Sequence, residues 1–62
     1  MEISKIQFKN AYHTNRLNFE VNDTLISSSV IRMMDLNEEQ IIVIIRGIRY
    51  DISRSDIRIT YK

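Results

Sequence analysis

The chain decides its fold over Gln40-Ile-Ile-Val-Ile-Ile45, Arg46-Gly47 and Ile48-Arg-Tyr-Asp-Ile-Ser53. The first of these segments is almost wholly β-branched, and the second supplies the only glycine of the chain. In the third segment, isoleucine and tyrosine alternate with polar residues, which is the period of a strand with one buried face. The stretch therefore predicts a β-hairpin whose turn lies at Arg46-Gly47.

The same alternation predicts strands elsewhere in the chain. It covers the segments 3–8, 16–22 and 57–62, and the second of these ends at Asn22-Asp23, a favourable turn pair. The residues predicted to face inward are Ile6, Phe8, Leu17, Phe19, Val21, Ile57, Ile59 and Tyr61. Asn10 to Asn15 is mostly polar and is predicted to be a loop.

Two segments allow a helix as well as a strand. Within Thr24–Met34, three serines in a row make a poor helix interior, which favours a strand from about Val30 to Asp35. Leu36–Arg46 follows a capping box and precedes a glycine, so a helix is the alternative there. Five successive β-branched residues would point to all sides of that helix, and a strand is therefore favoured.

The end of the chain resembles a known type of fold. Ser53-Arg-Ser-Asp56 has the length of one 3₁₀ turn and lies between the strands Ile48-Arg-Tyr-Asp-Ile52 and Ile57-Arg-Ile59. A long first hairpin, a meander, a short turn and a closing strand resemble the order in SH3-like small barrels. This resemblance implies an all-β domain, either a small SH3-like barrel or a strongly bent antiparallel sheet of five to six short strands.

A second resemblance leaves an α+β alternative open. Arg16-Leu-Asn-Phe-Glu-Val21, followed by two candidate helices, resembles a ribbon-helix-helix layout. Neither resemblance implies a function, because one small fold serves many activities.

Length and composition define the class of protein. The 62 residues form one domain, 1–62, and without cysteine it has neither a disulfide nor a thiolate metal site. Twelve isoleucines favour dense aliphatic packing, and unpaired strand edges predict a homodimer through a sheet edge. The chain has neither a signal-peptide layout nor an apolar run of about 18 residues, so we expect a cytoplasmic protein with no membrane partner.

No residue pattern predicts catalysis, a cofactor or a metal site. His13 is the only histidine, and no orienting partner or nucleophile accompanies it in the sequence. The spacing of Asp35, Glu38 and Glu39 fits neither a calcium loop nor a two-carboxylate active site. We therefore expect a protein that is not an enzyme and needs no cofactor.

The candidate binding residues are arginines of the C-terminal third, together with an N-terminal loop. Five cations and two carboxylates over residues 46–62 leave a local charge of +3. Four of the cations, Arg46, Arg49, Arg54 and Arg58, are predicted to form a patch that contacts phosphates. The alternative is a solvated face that protects the sheet edges. Tyr12 and His13 are the loop candidates, and Tyr12 is expected to lie outside the core.

Two functions follow as expectations. The first is a non-catalytic domain that acts through protein–protein interaction, as a regulator or inhibitor encoded by a phage or mobile element. Absent proline and abundant Ile, Asn and Lys, which AT-rich codons favour, support that setting. The second is nucleic-acid binding through the arginine patch. The net charge of +1 favours the first, because nucleic-acid-binding domains are usually strongly basic.

Overall fold

The computed structural model describes residues 2–62, which form eight β-strands and one 3₁₀ turn. The strands are β1 (Ile3–Phe8), β2 (Tyr12–His13), β3 (Asn18–Phe19), β4 (Thr24–Ile26), β5 (Ile31–Asp35), β6 (Gln40–Ile45), β7 (Ile48–Ser53) and β8 (Ile57–Tyr61). The 3₁₀ turn, Arg54–Asp56, lies between β7 and β8 as predicted. Residues 2–62 contain no α-helix, which confirms the all-β prediction and shows that both helical alternatives are wrong.

The strands form three antiparallel sheets, of three, two and three strands. β1 lies between β4 and β8, β6 lies between β5 and β7, and β2 pairs with β3. An isolated bridge between Glu2 and Met34 joins the start of the first sheet to β5. After β1 the chain forms β2, β3 and β4. The meander of β5, β6 and β7 comes next, and the closing strand β8 pairs back onto β1.

The meander turns at the predicted hairpin. Ile45 pairs with Ile48, and the two residues between them have positive φ angles, 51° at Arg46 and 84° at Gly47. Positive φ at both central positions is the geometry of a type I′ turn, whose twist matches that of the flanking strands. The glycine therefore lies where a left-handed conformation is needed.

The core lies between the two three-stranded sheets. Its buried side chains come from six strands: Ile3, Ile6, Phe8, Leu25, Met33, Ile41, Val43, Ile52 and Ile57. Ile3 and Ile6 are both fully buried although they differ in parity, because the register of β1 against β8 shifts between Ile3 and Lys5. That irregularity turns both side chains of one strand toward the core.

The first half of the chain differs most from the prediction. Eight strands replace the expected five to six, because β4 is an additional strand and β2 lies within the predicted 10–15 loop. The predicted strand over 16–22 shrinks to β3, and Val21 is 53% exposed. The cause is a tight turn: the Glu20 amide donates to Asp23 Oδ2 at 2.8 Å, and Asn22 has a φ of 75°. Local side-chain bonds of this kind end the strand.

Candidate functional site

The four candidate arginines do not form one patch. Arg49 points outward from the β5–β6–β7 sheet, and Arg58 points outward from the β4–β1–β8 sheet. Because the core lies between these sheets, their outer faces point away from each other. Arg46 lies at the hairpin turn, and Arg49 Nε donates to Asp51 Oδ1 at 2.9 Å.

Arg54 is bound within the domain. Its Nε donates to the carbonyl oxygen of Asn37 at 2.8 Å, and its Nη2 donates to Asp35 Oδ1 at 2.5 Å. Nη1 also lies 3.1 Å from the hydroxyl of Tyr61, which itself donates to Asp35 Oδ1 at 2.9 Å. The hydrogen bonds from Arg54 and then Tyr61 lower the pKa of Asp35 below its ordinary value. Arg54 therefore links β5, the following loop and β8.

A shallow depression lies beside this network. It is lined by Asp35, Leu36, Asn37, Glu38 and Arg54. Arg54, the one cation in this lining, already donates to protein acceptors, and the lining contains no histidine. Across residues 2–62, no cluster of three or more His, Cys, Asp or Glu side chains is placed to hold a metal ion.

Tyr12 and His13 have separate environments. Contrary to the prediction, Tyr12 packs against the core, with its ring stacked on Phe8 at a centroid distance of 6.0 Å. Burial raises its pKa, and the neighbouring charges of Tyr50 and Asp51 add to the effect. His13 is exposed, and its Nε2 lies 2.9 Å from Glu20 Oε1. The pair is a solvated cross-strand contact.

The outer surface of the β5–β6–β7 sheet presents apolar side chains inside a charged border. We call it the meander face: Arg32, Met34, Ile42, Ile44, Arg49 and Asp51. In one row of the sheet, Ile44 lies between Arg32 and Arg49, and in the next, Ile42 lies between Met34 and Asp51. The three apolar side chains are half-buried, and the three charged ones are exposed.

Sequence reasoning missed this face although the sequence carries its signal. An unbroken β-branched run is typical of a strand buried on both sides, whereas a strand with one wet face alternates. β6 has such a run, and β7 alternates. A run of this kind predicts a strand but does not by itself indicate that Ile42 and Ile44 form an apolar outer surface.

Comparison with known proteins suggests no function, so a functional proposal has to be based on the geometry of the domain. Residues 2–62 contain no helix with the length and apolar character needed to cross a membrane. The chain matches no family model, no curated protein and no solved structure.

Proposed function

We propose that this chain is a non-catalytic protein-interaction domain that binds a partner protein through the meander face. The observation that carries the proposal is the position of Ile42 and Ile44, which point outward from the central strand of a sheet. On a one-sided antiparallel sheet such positions are normally polar. Both side chains are half-buried and keep part of their surface exposed, so a partner would supply further apolar contacts.

The composition of the face matches a small interface. Protein interfaces combine an apolar, well-packed centre with a polar rim, and arginine and methionine are enriched in them. Here Met34, Ile42 and Ile44 form the centre, and Arg32 and Arg49 border it on opposite sides. The face is compact, which suits the low-area contacts of a regulator or inhibitor.

Charge selects the kind of partner. Arg49 is paired with Asp51, whereas Arg32 makes no ion pair within residues 2–62. The face therefore has a net positive charge, and it favours a partner that places apolar side chains beside a carboxylate. A second copy would bring the same positive charge, which favours a different protein over a homodimer through this face.

The biological setting follows from composition. A cytoplasmic regulator or inhibitor encoded by a phage or mobile element is the role that we propose, and the absence of proline with twelve isoleucines supports it. A domain of this size acts by occupying a surface of its partner. It needs no cofactor for that role.

The test uses peptides selected from a random displayed library against the immobilised domain. We expect selected peptides to combine apolar and acidic residues and to shift the amide resonances of β5, β6 and β7. The variant Ile42→Thr/Ile44→Thr should weaken their binding by more than about tenfold, since buried apolar contacts dominate small interfaces. The matched control Val21→Thr/Ile26→Thr changes two exposed apolar residues elsewhere and should leave the affinity unchanged.

Two results would contradict the proposal. One is an equal loss of affinity in both variants, which would indicate nonspecific apolar adhesion. The other is a melting temperature that rises with protein concentration and loses this dependence in Ile42→Thr/Ile44→Thr, because only self-association gives that behaviour. A rise that survives in this variant would instead indicate a homodimer through a sheet edge.

A further inference from the structure

The outer surface of the β4–β1–β8 sheet carries a different set of side chains from the meander face. We call it the β1 face: Lys5, Gln7, Thr24, Ile26, Arg58 and Thr60. In one row Lys5 lies between Ile26 and Thr60, and in the next Gln7 lies between Thr24 and Arg58. All six are exposed except Gln7, which is half-buried. The face contains two cations, no carboxylate and one apolar side chain.

The cations of this face are not neutralised by the protein. Within residues 2–62, the ion pairs of lysine and arginine are Arg49 with Asp51, Arg54 with Asp35, and Lys62 with Glu2. Lys5 and Arg58 belong to none of them. Lys9 directly follows β1, is exposed, and also makes no ion pair within the described residues.

The six residues of the β1 face include no carboxylate. Asp35, Glu38 and Glu39 lie around the loop between β5 and β6, and Glu20 contacts His13. Asp56 lies beside Lys9, whose backbone amide donates to the Asp56 carbonyl at 2.7 Å, and Asp56 Oδ1 accepts from the Asn10 side chain at 2.9 Å. The net charge of +1 is the sum of positive and negative regions that lie apart on the surface. A locally positive face is therefore compatible with this small net charge.

The side chains beside these cations are those that bind phosphate groups. Protein contacts to nucleic-acid backbones come from arginine and lysine together with serine, threonine, asparagine and glutamine. Gln7, Thr24 and Thr60 provide such groups next to Lys5 and Arg58. No aromatic side chain belongs to the face, so it offers no platform on which bases would stack.

We propose that the β1 face binds the phosphate backbone of a nucleic acid without sequence preference. Lys5 and Arg58 contact phosphates directly, and Lys9 extends the contact along the strand axis. The β1 face is separate from the meander face. A negative result for nucleic-acid binding can therefore be distinguished from a negative result for protein binding.

The experiment measures fluorescence anisotropy of a labelled 20-base-pair DNA duplex and of its single strand against the intact protein, between about 50 and 200 mM salt. We expect the wild type to bind with a log–log salt slope of about −2 to −3, as two to three phosphate contacts require. Lys5→Gln/Arg58→Gln should weaken binding by more than about tenfold at the lowest salt and bring the slope toward about −1. Whichever of the duplex and the single strand binds with the higher affinity is the form of nucleic acid that the face prefers.

The control removes the same charge from another part of the surface. Arg16→Gln/Arg46→Gln replaces two exposed arginines outside the β1 face, neither of which forms an ion pair within residues 2–62. Its affinity should stay within about threefold of wild type, since counterion release depends on the phosphates contacted. An equal loss in both variants would show attraction by net charge alone and overturn the proposal.

Three further results would overturn it. The first is an absence of measurable binding to either nucleic acid at the lowest salt. The second is equally tight binding to polyglutamate, which would make the face a site for acidic protein. The third is equally tight binding to phosphatidylserine vesicles, lost in Lys5→Gln/Arg58→Gln, which would assign the face to a membrane surface.

Discussion

Arg54 and Asp35 are 19 positions apart in the sequence, and Arg54 Nη2 lies 2.5 Å from Asp35 Oδ1. Their side chains are only 26% and 29% exposed, respectively, and Tyr61 donates to the same carboxylate oxygen. The 3₁₀ turn is thereby joined to the end of β5 and to the closing strand. A residue that sequence reasoning assigned to a binding patch instead links three elements of the domain.

Replacement of Arg54 should destabilise the domain. In Arg54→Ala, Asp35 loses one of its hydrogen-bond donors and the Asn37 carbonyl loses a donor, so we expect a melting temperature several degrees lower in a thermal circular-dichroism scan. Arg54→Lys keeps the positive charge but not the planar guanidinium group. Its melting temperature should therefore lie between those of wild type and Arg54→Ala. Arg58→Ala removes an exposed arginine without an ion pair in residues 2–62, and should melt like wild type. Equal melting of Arg54→Ala and Arg58→Ala would contradict the structural role.

Acid should destabilise the domain through Asp35. Hydrogen bonds from Arg54 and Tyr61 lower its folded-state pKa below 3.8, so the carboxylate binds its proton less readily in the folded than in the unfolded chain. The contribution to stability is therefore present above pH 3.8 and is lost as the pH falls through the lower, folded-state pKa.

The check on this acid dependence is a series of urea unfolding midpoints from about pH 7 to about pH 2. The difference between wild type and Asp35→Asn should be largest at neutral pH and should vanish at the acid end. Glu2→Gln is the control: its pair with Lys62 also lowers a pKa, but both side chains are more than half exposed, so its effect should be smaller. A difference that does not change with pH would refute the linkage.

The hairpin turn should resist β-branched residues. Gly47 has a φ of 84°, and a Cβ added there would meet no atom within 4 Å, so the cost of substitution is backbone strain alone. We expect Gly47→Val to lose more than about 1 kcal/mol of unfolding free energy by urea denaturation. Gly47→Asn should lose less, because asparagine tolerates the left-handed region. Equal losses would point to a steric cause.

The neighbouring position offers a gain in stability. Arg46 adopts a φ of 51° without being glycine, asparagine or aspartate. Arg46→Asn creates the Asn-Gly pair that type I′ turns prefer, and should raise the free energy of unfolding by a few tenths of a kcal/mol. Ser28→Asn, an exposed change outside the turn, should not reproduce the gain. A loss of stability in Arg46→Asn would mean that the arginine makes a contact of its own.

Adjacent isoleucines of β6 should respond differently to the same change. Ile41 is fully buried, whereas Ile42 is half-buried on the meander face. Ile41→Val should cost about 0.5 to 1.5 kcal/mol through the lost methylene and the cavity that remains. Ile42→Val should cost less than about 0.5 kcal/mol, as surface changes usually do. The reverse order in urea denaturation would place the opposite parity of β6 in the core.

The ambiguous segments show where sequence reasoning stops. The alternation of apolar and polar residues predicted β7 and β8 correctly, because each strand has one face toward the core and one toward solvent. This alternation depends only on neighbouring residues along the chain. It failed at Val21, where a backbone turn closed by Asp23 overrides the pattern. It also missed Tyr12, because a tyrosine in a polar segment carries no local sign that Phe8 will cover its ring.

By itself the sequence determined the strands of the second half, the turn at Arg46-Gly47 and the all-β class, since side-chain parity and left-handed φ preferences act between near neighbours. Only the tertiary structure decided which charges meet. Arg54 joins Asp35, Arg49 and Arg58 lie on opposite outer faces, and Lys5 lies on the same face as Arg58. The physical reason is that strand pairing brings together residues distant in sequence, and a one-dimensional charge pattern does not contain that pairing.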